Sequence, residues 1–186
     1  MFYGLILTAL LISQSALAQA WIRTADRERQ FTINFPVPPA VRDAAYRGTA
    51  GAPLPARIYA AERATGRYTL TVVDYAPVRA AAADAVTHAA EVLRRRGSGW
   101  HDRHAYQDGL YGHHLSLTEP DGRRLHAAIY FFENRLYIVE GSDLPGGRPA
   151  LPFVHSLIIT HKDGTQLNLD GYNDERYNPF TGETRY

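Results

Sequence analysis

Residues 67–96 read RYTLTVVDYAPVRAAAADAVTHAAEVLRRR, and the hydrophobic period changes inside them. From Arg67 to Tyr75 the side chains alternate. Tyr68, Leu70 and Val72 fall on one face, and Thr69, Thr71, Val73 and Tyr75 on the other, as in a strand. After Pro77 the spacing becomes helical. Ala82, Val86, Ala89 and Leu93 recur along one stripe, with Ala85, Ala90 and Val92 beside it, which predicts a helix over 78–96. Asp84 lies toward the positive N-terminal end, Arg94, Arg95 and Arg96 crowd the negative C-terminal end, and Gly97 supplies the stop. The stripe is mostly alanine, so this helix is expected to lie close and flat on a sheet.

Upstream, Phe31-Thr32-Ile33-Asn34-Phe35 alternates as a half-buried strand that Pro36, Pro38 and Pro39 end. Residues 21–30 read as charged and irregular. Residues 40–55 read as a loop with a short strand near Ala45-Tyr46. Ala56 to Glu62 is a strand, and Thr65-Gly66 turns the chain into the alternating segment. Downstream, a polar stretch follows Trp100, and three strands then form a meander over 111–118, 123–132 and 135–141. Glu119-Pro120-Asp121-Gly122 and Asn134 mark its turns. The middle strand is apolar on both faces at its end and is expected to be central. Residues 148–158 (RPALPFVHSLI) read as a short helix, with Pro149 and Pro152 in its first turn. Residues 161–186 read as a hairpin about Lys162-Asp163-Gly164 with a strand at Thr165–Leu169, then a polar, aromatic tail. The order predicts an α+β fold: a central antiparallel β-sheet of about six strands, flanked by a long helix (about 78–96) and a short one (about 148–158).

Phe31-Thr32-Ile33-Asn34-Phe35-Pro36-x-Pro38, the tyrosine-rich hairpin through Tyr59 and Tyr75, and Phe153-x-x-Ser156-Leu157 resemble a pattern of small exported bacterial domains of unknown function. The shape of those domains is similar to the PsbP-like fold, a central antiparallel sheet with helices on either side. The resemblance spans about residues 30–160, and its motifs are apolar and structural. It implies a fold and carries no catalytic residues over. The extension 161–186 departs from the pattern.

The N-terminus supplies an address. Gly4 to Ile12 is an apolar run, followed by small-x-small sites at Ala16-Leu17-Ala18 and Ala18-Gln19-Ala20. Residues 1–20 are therefore expected to be a signal peptide cleaved near Ala18 or Ala20. The run is too short for a bilayer-spanning helix, which needs about 20 apolar residues, so no transmembrane segment is expected after cleavage. Residues 21–160 are expected to form a single domain in the periplasm or outside a bacterial cell. The chain has no cysteine, which removes disulfides and a lipoprotein anchor. Its 20 basic and 19 acidic side chains give a formal net charge of +1, which argues against nucleic acid as a partner.

The sequence offers few reactive groups. His101-Asp102-x-His104 is the densest set of potential metal ligands, yet no third ligand completes it. His113 and His114 are strand neighbours and point to opposite faces. His113 shares a face with Leu115 and Leu117 and reads as a hydrogen-bonded histidine at the edge of the core. His114 and His126 are expected to approach across the 119–122 turn as a pH-responsive pair. No G-x-S-x-G elbow or phosphate loop is present, and no cofactor is implied. In the tail, Tyr172, Tyr177 and Phe180, interleaved with Asn and Asp, suit a partner contact.

The expectation is an exported, non-catalytic binding or accessory domain of unknown specificity that engages a protein or envelope partner. Two alternatives stand beside it. One is a small-ligand carrier. The other is a metal-dependent hydrolase built on His101, His104, His114 and His126.

Overall fold

The alternating segment 66–74 sits where both of its faces can be covered. In the computed structural model, which describes residues 21–49, 51–78, 81–107, 110–147, 150–165, 177–178 and 183–184, that segment is the third strand of a seven-stranded sheet. In chain order the strands leading to it are β1 (Ile22–Asp26), β2 (Phe31–Phe35), β3 (Ala40–Arg47), β4 (Pro53–Arg63) and β5 (Gly66–Asp74). Helix α1 (Ala82–Arg94) follows, then β6 (Ser98–Gln107), β7 (Leu110–Thr118), β8 (Arg124–Phe132) and β9 (Arg135–Asp143). Helix α2 (Leu151–Val154), β10 (Ile158–Ile159), β11 (Tyr177–Asn178) and β12 (Glu183–Thr184) complete the order.

The large sheet runs β3-β4-β5-β9-β8-β7-β6, and every described neighbour pair in it is antiparallel. A second, three-stranded sheet runs β1-β2-β10. The two faces of the large sheet build two cores. On one face, Ala85, Val86, Ala89, Ala90 and Leu93 of α1 pack on Leu115, Leu117, Leu125, Ile129 and Leu136. The alanine stripe does what its size allows and lets the helix lie across β7, β8 and β9. On the other face, Phe31, Ile33 and Phe35 of β2 and Phe153 and Val154 of α2 cover Tyr68, Leu70, Val72, Tyr130 and Val139. Strand β5 serves both cores. Tyr68, Leu70 and Val72 enter the second, and Val73 and Tyr75 the first.

The fold is mixed α+β, but several elements differ from the sequence reading. The sheet has seven strands instead of about six, and a separate small sheet lies over it. Residues 40–47 and 98–107 are full strands because they are the two edges of the large sheet. An edge strand is largely solvated on both sides, so it loses the alternation that marks an inner one. Residues 22–26 are likewise a strand, held by pairing Ile22 to Phe35 through Asp26 to Phe31. Pro53 and Pro55 are tolerated in β4 because its pairing with β5 begins only at Ala56.

The helices are shorter than expected. Pro77 lies in a turn in which Val78 N donates to Tyr75 O (3.0 Å), and α1 begins at Ala82 after an extended Ala81. It ends at Arg94, where Arg96 N turns back to Leu93 O (2.9 Å). The second helix is the single turn Leu151–Val154 and not 148–158. Ser156 Oγ takes a hydrogen bond from Asn34 N (3.1 Å), and the β-branched Ile158 and Ile159 leave the helix to pair with Thr32 and Phe31. The turns fared better. Glu133 and Asn134 both have positive φ (42° and 61°), as a two-residue hairpin loop requires. Residues 162–164 turn with Gly164 N donating to His161 O (2.9 Å). The proposed leader, residues 1–20, and the expected strand beyond Thr165 lie outside the described residues.

Candidate functional site

Three local features bring a set of aromatic and imidazole side chains together on the α2 face of β6, β7 and β8. The first is register. In the β7–β8 turn, Glu119 N donates to Arg123 O (2.8 Å) and Gly122 N donates to Glu119 O (2.8 Å). The ladder therefore starts at Thr118 and Arg124, and it sets Ser116 opposite His126 and His114 opposite Ala128. His114 and His126 share a face, but on diagonal positions. The direct cross-strand neighbour of His126 is Ser116.

The second feature is the edge strand. A bulge between Gly99 and His101 interrupts the β6–β7 ladder. Trp100 lies at this bulge with its indole edge-on to the His126 ring, 5.6 Å between centroids. Beyond it, His101 pairs with Ser116 and Arg103 with His114, which places both on the same face as those residues. The third feature is α2. Gly141 of β9 lets it approach, since a Cβ there would sit 2.5 Å from the Ala150 Cβ. The helix ends on His155, whose ring stacks on His114 at 5.7 Å with an interplanar angle of 22°.

These pieces enclose a cavity of about 230 Å³. His114, Ser116 and His126 form its floor. Trp100, His101 and Arg103 stand on the β6 side, and Leu151, Val154 and His155 on the α2 side. Of the described residues that line it, Arg103 alone carries a fixed charge, and none is a carboxylate.

The electrostatics keep the floor neutral. Burial lowers the His114 pKa to about 4, helped by the neighbouring His155, Arg103 and His101. Its Nε2 shares a 2.6 Å hydrogen bond with the Tyr130 hydroxyl. His126 is only 2% exposed. Burial also depresses its pKa, with Arg124 the next cause. His126 Nδ1 and Ser116 Oγ share a hydrogen bond of 2.9 Å. Its Nε2 is buried with no hydrogen-bond partner among the described residues. A buried polar atom left unpaired costs about 1–3 kcal/mol.

The pair Ser116–His126 is not arranged as a Ser-His-Asp triad. In such a triad a carboxylate holds the second imidazole nitrogen; here that nitrogen has no partner among the described residues and no acid lines the cavity.

The opposite face separates residues that the sequence grouped. His101 and His104 are three apart on a strand, so they point to opposite sides of the sheet. His104 lies against His113, with ring centroids 4.9 Å apart. Asp102, on that side, accepts from Arg94 Nε and from Arg94 Nη2 (3.0 Å) and contacts His113 Nε2. The Arg94 hydrogen bonds hold its pKa down to about 2. His113 is thus a hydrogen-bonded residue at the core edge, 5% exposed. The set His101, His104, His114 and His126 does not converge. The structure gathers His101, His114, His126 and His155 instead. Among the described residues no three His, Cys, Asp or Glu side chains are placed to hold a metal ion.

Of the tail residues, Tyr177 belongs to β11, paired with Thr184 of β12. Tyr172 and Phe180 lie outside the described residues. Sequence reasoning missed Ser116, Arg103 and His155 as members of the cavity. Counting outward from a five-residue turn at 119–123 finds the Ser116–His126 pair. Nothing in the sequence around His155 announces its stacking on His114, which depends on α2 ending after one turn.

No protein-family model matches the chain, and no curated protein sequence matches it. Among solved structures the chain is similar to the cyanobacterial PsbP protein (CyanoP) of Synechocystis sp. PCC 6803. The TM-score is 0.52 at 10% sequence identity, and the match covers 78% of this chain and 95% of that one. This likeness shows the PsbP-like fold. Among the described residues, no helix is long and apolar enough to cross a membrane.

Proposed function

We propose that this protein is an exported, non-catalytic binding domain that holds a small organic ligand in the histidine-lined cavity between β6–β8 and α2. The observation that carries the reading is the cavity of about 230 Å³ itself, floored by His114, Ser116 and His126 and walled by Trp100, Arg103 and His155. The space is sufficient: a dry apolar cavity of about 150 Å³ accepts benzene. Export rests on the apolar run Gly4–Ile12 and the small-residue sites at Ala18 and Ala20.

The test is a fragment screen on the purified protein by saturation-transfer NMR, repeated on Trp100→Ala. Fragments that bind the native protein should compete with one another and lose most of their signal in the variant. Fragments that bind both forms equally place the binding surface elsewhere. Mass analysis of the natural product should show residues 1–18 or 1–20 removed; retention of Met1 contradicts export.

A second reading has its own observation. Trp100 is 58% exposed and Leu151 37% exposed, and both border the cavity. Exposed apolar groups beside a pocket suit an envelope protein that seats a side chain there. Under that reading an isolated fragment binds weakly, and crosslinking from position 100 in intact cells captures one protein.

A further inference from the structure

We infer that the cavity selects a small aromatic carboxylate, its ring held among the imidazoles and Trp100 and its carboxylate directed to Arg103; this rests on the reading of the cavity as a binding site. Two observations and the size of the cavity point to that class. The walls are flat rings. His155 lies over His114 at 22°, and Trp100 stands edge-on to His126. Planar groups pack best in offset or edge-to-face contact with such surfaces.

The charge has one sign. Arg103 is the fixed charge among the described lining residues, and Arg124 acts on His126 from just beyond. No described carboxylate opposes them there. A cationic ligand would meet the same repulsion that, after burial, disfavours protonated His114, which shares the cavity with His155, Arg103 and His101. An anion meets a guanidinium suited to paired hydrogen bonds with a carboxylate.

The volume of about 230 Å³ holds one six-membered ring with a carboxylate and a small substituent.

Calorimetric titration at pH 7 with benzoate, cyclohexanecarboxylate and benzamide separates the elements of this inference. Benzoate should bind with Kd of the order of 1 mM, fitting for about nine heavy atoms. It should bind about fivefold more tightly than either comparison compound. Arg103→Gln should weaken benzoate about fivefold and leave benzamide within about twofold. Benzamide binding as tightly as benzoate overturns the carboxylate while leaving the cavity a binding site. Cyclohexanecarboxylate equal to benzoate overturns the aromatic preference in the same way. If none of the three perturbs the Trp100 indole resonance, the inference and the binding reading beneath it both fall.

Discussion

Ser116 and His126 face each other directly across the β7–β8 ladder, with Ser116 Oγ 2.9 Å from His126 Nδ1. This one contact fixes the orientation of a buried ring whose other nitrogen has no partner among the described residues. Ser116→Ala removes the contact without changing the ladder and leaves both ring nitrogens unpaired. The expected cost is about 1–2 kcal/mol, read as a lower urea midpoint at constant slope. An unchanged midpoint would show that water already serves the ring.

His114 couples stability to pH. Its folded pKa of about 4 lies below the ordinary 6.5, so between these values the unfolded chain binds more protons. Stability is therefore whole above about pH 6.5 and declines as the pH falls toward about 4. With allowance for water at the cavity mouth, the loss is about 2 kcal/mol. His114→Gln should remove this leg of the pH–stability curve. A variant curve parallel to the native one over pH 4–6.5 would assign the loss to other groups.

Asp102 acts lower on the scale. Hydrogen bonds from Arg94 hold its pKa to about 2, below the ordinary 3.8. Its contribution is present above about pH 4 and disappears as the pH falls through the window down to about 2. The side chain is 36% exposed, so screening limits the effect to about 1 kcal/mol. Asp102→Asn should lose that amount at pH 7 and flatten the acid limb below pH 4. Chemical denaturation at pH 7, 4 and 2.5 checks both.

Gly141 governs where α2 sits. Gly141→Val drives a side chain into Ala150, at a cost of about 2 kcal/mol or more by overpacking. The displaced helix carries His155 away from His114, so the His114 pKa should rise toward its ordinary value. A variant that loses stability while His114 still titrates as in the native protein would separate the helix from the site.

The inner strands were legible because each has a distinct period. Tyr68, Leu70 and Val72 stand against Val73 in β5 and Tyr75 just after it, and in β8 Leu125, Ala127 and Ile129 stand against Ala128 and Tyr130. The edges were not. The described side chains of β3 and of β6 as far as His104 are mostly exposed, and both strands are held by backbone pairing with a neighbour, which leaves no hydrophobic trace. Pro77 and Pro152 fit a first helical turn by local rule. The first instead closes a turn onto Tyr75, and α2 is cut short by the pairing of Ile158 and Ile159 with β2. The site was half legible. His101, His114 and His126 were picked out as candidates, but their grouping depends on the turn length at 119–123. His104 dropped out because β6 is a strand, and His155 entered only through tertiary packing.

The most direct measurement is a histidine-ring 15N NMR titration of the native protein, with and without saturating benzoate. The account predicts that His114 titrates near pH 4 in the free protein, and that bound benzoate raises that value because an anion beside the ring favours its charged form. A His114 that titrates near 6.5 and ignores benzoate would contradict both the buried imidazole floor and the ligand it is proposed to hold.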